Sequence, residues 1–261
     1  MKPLLPISIL AGLAGNLAAQ GPLTPPGPPA PVMKSLAQIE PRTVIPGGTT
    51  THVISQPGNY VLGGDITVGN IDGMRIEADD VTLDLNGFTI STTSTVPGGS
   101  APYRGIFVLS KNVVIRNGRI KAGFYNDAAN LAGGGFEAGI EGGFNIPGTG
   151  TNVVVENMQI TGCRHGITFY WPQSSIVIRD CVVRDGESGI TIGYFPNFNE
   201  GSVRGCTVQQ TTSIGIRANL VVDCEIFVNG NSAPVALDAT IAKSCVVQGG
   251  SLNIDHRYDM P

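Results

Sequence analysis

The sequence predicts an all-β fold in which short parallel strands stack as successive copies of one unit, a parallel β-solenoid. One complete copy is legible at Ser174 to Gly193, SSIVIRDCVVRDGESGITIG, where alternating Ile176, Val177 and Ile178 lead into a polar corner, a small Cys181 and a Gly189-Ile190-x-Ile192 strand. Alternation of this kind reads as short strands separated by turns. The same corner recurs at Gly87, Gly118, Met158, Cys181, Cys206, Cys224 and Cys245, at intervals of roughly 20 to 40 residues. A second marker, glycine followed by an aliphatic residue, an outward residue and another aliphatic or small one, starts at Gly73, Gly105, Gly139, Gly166, Gly189 and Gly215. A unit this small cannot bury its own apolar face, so neighbouring copies have to stack to make a core. With 36 Gly, 18 Pro and 14% charged residues, the composition suits a turn-rich β chain.

In chain order, residues 1–19 read as a secretory signal peptide: one charge at Lys2, an apolar stretch from Leu4 to Leu17, and small Ala18-Ala19. This implies a secreted protein, periplasmic or extracellular, and no other stretch is long and apolar enough to span a bilayer. Residues 20–32 form a Pro/Gly-rich leader, extended by composition. Residues 33–50 form an N-terminal cap; Met33, Leu36 and Ile39 fit a short capping helix before Pro41, and an irregular strap fits equally. The stacked region is expected over 51–261. Its first strands, His52 to Ser55, Tyr60 to Leu62 and Ile66 to Val68, are separated by the turn residues Gln56 to Asn59 and Gly63 to Asp65. Long Gly-rich insertions follow at Thr92 to Tyr103, Ala122 to Ala138 and Gly143 to Asn152, where binding tends to reside on a rigid scaffold. After Cys224 the copies shorten and lose the leading glycine, as in Val235-Ala236-Leu237.

The segments ITGCRHGITF, IVIRDCVVRDGESGITI and VVIRNGRIKA resemble rungs of right-handed parallel β-helix proteins, the pectate-lyase-like superfamily. The N-terminal GPLTPPGPPAPVMKSLAQIEPR, with ISQPGNYVL and ADDVTLDLNGFTI, resembles a subgroup of secreted bacterial β-helix proteins without an established activity. The resemblance implies a single-stranded right-handed β-helix of about seven to eight rungs. It leaves function open, because this fold carries lyases, hydrolases, epimerases and inert adhesins alike.

Each strand that begins at a marker glycine alternates inward and outward, and its outward column reads Arg75, Phe107, Glu141, Thr168, Thr191, Arg217. In catalytic relatives this face forms the substrate groove. A glycosidase needs two carboxyls, and the column supplies Glu141 alone. Asn-Thr-Asp and Asp-Asp blocks of the polygalacturonase type are missing, and Arg119-Ile120-Lys121 sits inside an ordinary copy. A lyase would draw on Glu141, His165 and Arg217 as the candidate catalytic set. His165, in a corner before a strand, reads more simply as a surface histidine. No metal site is expected, and Ca²⁺ has no dense acidic cluster to bind it. No nucleotide cofactor is implied.

The aromatic residues concentrate between 124 and 198, several in the same post-strand loop of consecutive copies. Tyr170, Trp171, Tyr194 and Phe195, beside Thr168 and Thr191, form the expected carbohydrate-binding ledge, since ring faces suit sugar faces. Packing of these rings on one another is the competing reading. A formal net charge of −4 without Lys/Arg clusters excludes nucleic acid as a partner. Four of the five cysteines, Cys181, Cys206, Cys224 and Cys245, fall in one inward column, where parallel side chains favour free buried thiols.

The function expected is therefore binding to, or scaffolding on, an extracellular or cell-surface polysaccharide without catalysis. A polysaccharide lyase or glycoside hydrolase and a purely structural surface protein are the alternatives. A monomer with some end-to-end self-association is expected, with Asp255, His256, Arg257 and Asp259 charging the last edge.

Overall fold

A computed structural model describes residues 41–97, 103–127, 130–143, 150–170, 175–193, 201–229 and 234–260. The chain divides into two units, 1–40 and 41–261, and all described residues belong to the second. The signal peptide, the leader and the first part of the cap, with Trp171, Tyr194 and Phe195 of the expected ledge, lie outside the described residues.

Among the described residues there is no helix, and all but one short hairpin join a 20-stranded sheet whose pairings are parallel. The strands fall into three ladders that the chain visits in turn. One ladder runs His52–Ile54, Met74–Ile76, Arg104–Val108, Ala138–Gly142 and His165–Phe169 before continuing in the longer strands to Ser251–Tyr258. A second begins at Thr43–Ile45 against Gly58–Leu62, and a third at Ile66–Val68 against Thr89–Thr92. Stacking thus begins at Thr43, inside the stretch read as a cap.

Period-two alternation explains the core. Met74, Ile106, Ile140, Ile167, Ile190, Ile216 and Leu237 stand in register on one inward column, and all are fully buried. Each such side chain gains roughly 1.5–3 kcal/mol from leaving water. The column ends at Leu252, which is only half-buried.

Beside this column runs a glycine column at the positions the sequence marked. A Cβ built on Gly73, Gly105, Gly139, Gly166 or Gly189 would meet the carbonyl oxygen of the next glycine in the stack within 2.7 Å. Only a residue without Cβ lets the backbones approach so closely. On the last member, Gly215, the neighbour is the carbonyl of Ala236, where the column ends.

The corner alignment holds from Gly118 onward, since Gly118 pairs with Met158 and the cysteines follow in step. Gly87 is the exception. Asp84 pairs with Arg116 and Thr89 with Arg119, so the first corner carries two extra residues, and Leu85 fills the space over Gly118. Corners are turned by Asn and Asp in the left-handed region, at Asn117, Asn157, Asp180 and Asp223 among others. Their short polar side chains tolerate that region. They also bond along the stack, Asn157 Nδ2 donating to Asn117 Oδ1 at 2.9 Å.

All five cysteines are free and buried. The thiols of Cys206 and Cys224 are pushed up to about 12, chiefly by hydrogen bonding to the preceding thiol in the column, with burial adding. Burial likewise pushes Cys163 up.

Candidate functional site

The outward column expected from the sequence is in register: Arg75 pairs with Phe107, Phe107 with Glu141, Glu141 with Thr168, Thr168 with Thr191 and Thr191 with Arg217. It continues through Asp238 to Asn253, which the loss of the leading glycine had hidden. Alternation of strand faces places these side chains, but the column is not evenly open.

Glu141 is 2% exposed and Thr168 3%, so the centre expected to face a ligand is buried. An isolated carboxylate there would be costly. Arg104 resolves this, donating to Glu141 Oε1 from Nε at 3.0 Å and from Nη2 at 2.8 Å. The Arg104 guanidinium also lies over the Phe107 ring, 4.4 Å from its centre. Its backbone N–H donates to Asp72 Oδ1 at 2.8 Å. Burial nonetheless holds both Glu141 and Asp72 above the usual carboxylate range, against the lowering influence of Arg104.

Arg217 has its own counter-ion. Its Nε donates to Asp238 Oδ2 at 2.9 Å, and Asn253 donates to the other Asp238 oxygen at 2.8 Å. His165 opens its strand instead of sitting in a surface corner, and it is mostly buried. Its Nε2 lies 3.7 Å from Glu137 Oε1, next to Arg164, which bridges Glu137 at 2.8 Å and Glu187 at 2.7 Å. Burial lowers the His165 pKa, and Arg164 lowers it further against Glu187 and Glu137.

Glu141, His165 and Arg217 are therefore not brought together. Glu141 and Arg217 stand three strands apart in register, roughly 14 Å at ordinary strand spacing. His165 is three residues upstream of Thr168, about 10 Å along the neighbouring strand. No group of three or more His, Cys, Asp or Glu among the described residues is arranged to hold a metal ion.

Comparison of the chain with protein-family models, with curated proteins and with solved structures finds no match in any of the three. What the face can do has to be read from its own chemistry.

Of the carbohydrate-binding candidates, Tyr170 is half-buried, with its phenol pushed up to about 12 by burial and then by Glu141 and Glu137. Thr191 is also half-buried. Sequence reasoning missed Asp72, Tyr103 and Arg104. The available signal was position: Arg104 directly precedes marker Gly105, as His165 precedes Gly166, and Arg104, Ala138 and His165 share one register column.

Proposed function

We propose that this parallel stack is a right-handed β-helix, exported from the cell, that binds an extracellular or cell-surface polysaccharide without cleaving it. The observation that carries the reading is the charge pairing of the outward face. Glu141 is held by Arg104, Arg217 by Asp238, and Glu137 and Glu187 by Arg164. A hydrolase needs two carboxyls free to act across one bond, and a lyase needs a free base. Phe107, Tyr170 and Thr191 lie along the same face, and rings and hydroxyls of this kind suit sugar rings and their hydroxyl groups. A glycan-array screen of the mature chain, with parallel assays for unsaturated products and new reducing ends, tests both halves of the proposal.

One observation favours a lyase or hydrolase as second reading. A carboxyl raised by burial, as at Glu141, is the condition a general acid requires. Product formation that disappears in Glu141→Gln would decide for that reading.

A further inference from the structure

The outward face opens at one end. At its N-terminal end, in contrast to the buried Glu141 and Thr168, Val53 is 51% exposed and Ile71 41%, and they line a depression of about 520 Å³ with Asp72, Arg75, Tyr103 and Arg104. This is within the usual size of ligand sites. Its walls are an apolar edge and a ring, and its polar groups are an acid and a guanidinium.

The charges are balanced against a polyanion. Arg104 is committed to Glu141, and Arg75 Nε lies 3.2 Å from Glu77 Oε1. Asp72 adds a carboxylate within the depression. Arg75 Nε is itself sealed from solvent beside Glu77, so the part of the side chain that a ligand can reach, 39% exposed overall, is the rest of it. With the charges already paired, a neutral hydroxyl can donate to Asp72 or accept from the guanidinium without adding charge.

We infer that this depression holds the end of a neutral saccharide chain, one or two units long, with a ring face on Tyr103 and hydroxyls shared between Arg75 and Asp72. The inference rests on the polysaccharide-binding reading above and narrows it. Only the end of the chain enters the depression, because the next positions along the column, Glu141 and Thr168, are buried.

The test is an immobilised panel of neutral oligosaccharides (glucose-, xylose-, mannose- and galactose-based) and oligogalacturonates, each from one to six units. Binding to a neutral series that stops improving beyond about two units is expected. Tyr103→Ala and Arg75→Gln should each weaken it about five- to tenfold. Tyr103→Phe should keep it, which separates the ring from any effect on folding, and Val246→Ala, exposed near the other end of the stack, should leave it unchanged. Preference for oligogalacturonates, affinity that climbs through six units, or loss in Thr191→Ala with Tyr103→Ala unaffected would overturn this inference and leave polysaccharide binding standing. No binding across the panel would overturn both.

Discussion

Arg104 and Glu141, 37 residues apart in sequence, are joined by two hydrogen bonds to a single carboxylate oxygen, at 3.0 and 2.8 Å. Truncating one partner of such a pair strands the other charge in a site that is barely solvated. Glu141→Ala should therefore cost about 3 kcal/mol of stability, and Glu141→Gln, which keeps an acceptor, distinctly less. Urea unfolding of the two variants beside the parent chain measures this, and equal stability of all three would show that the pair is of no structural consequence.

His165 gives a pH-dependent term of defined sign. Its pKa in the fold is lowered, so the neutral ring is favoured by folding. The stability it contributes is complete above the unfolded value of about 6.5 and is lost as pH falls through the lower folded value. Thermal midpoints of the parent chain should thus decline, as pH falls below about 6.5, more steeply than those of His165→Gln. Parallel curves would remove the histidine from the account.

The glycine column makes a steric prediction. A Cβ at Gly166 would lie 2.5 Å from the Gly189 carbonyl oxygen and against Val183, whereas one at Gly69 meets nothing within 4 Å. Gly166→Ala should be destabilising by about 2 kcal/mol or more, and Gly69→Ala close to neutral. Denaturant midpoints decide, and a tolerated alanine at Gly166 would mean that the backbones can separate.

Five buried thiols should be silent in the folded state. Because the thiolate is the reacting species, and Cys206 and Cys224 are pushed up to about 12, a thiol reagent at about pH 8 should label almost none of them until denaturant is added. Unfolding without reductant should then release all five. Fewer would point to disulfides.

The last copy ends with a charge where its predecessors carry aliphatics. Leu83, Ile115, Val155, Ile178, Val203, Val221 and Ala242 occupy one register column, and the next position in it is Arg257. A charge at an inward position discourages addition of another strand. Arg257→Val should raise self-association in sedimentation velocity above that of the parent, and an unchanged variant would leave the end guarded by something else.

Much of this was legible in the sequence for a physical reason. Glycine at six successive copies, from Gly73 to Gly215, records a close backbone approach, so the register of Glu141, Thr168, Thr191 and Arg217 could be read directly. The pairing of Arg164 with Glu187, and of His165 with Ser188, is written in the equal lengths of Ile160 to Ile167 and Val183 to Ile190. The offset at Gly87 was hidden because the first corner takes four residues, Leu85 to Phe88, where the next takes two. Thr43–Ile45 is three residues long, too short for alternation to appear. Burial of Thr168 and Glu141 depends on what packs outside the strand, and alternation carries no information about that. Arg104 and Asp72 each stand just before a marker glycine, outside the alternating positions from which faces are assigned.

Nearest-neighbour registration also governs how the molecule comes apart. Within each ladder a strand pairs with the copy before and the copy after, so opening at one end leaves the remaining pairs intact. Such arrays lose structure progressively from their termini. Amide protons of Ile167 and Ile190 should be the slowest to exchange, and those of Ser251–Tyr258 among the fastest. Severing the array in the middle, by contrast, would leave two shorter stacks, each with a newly bared apolar end.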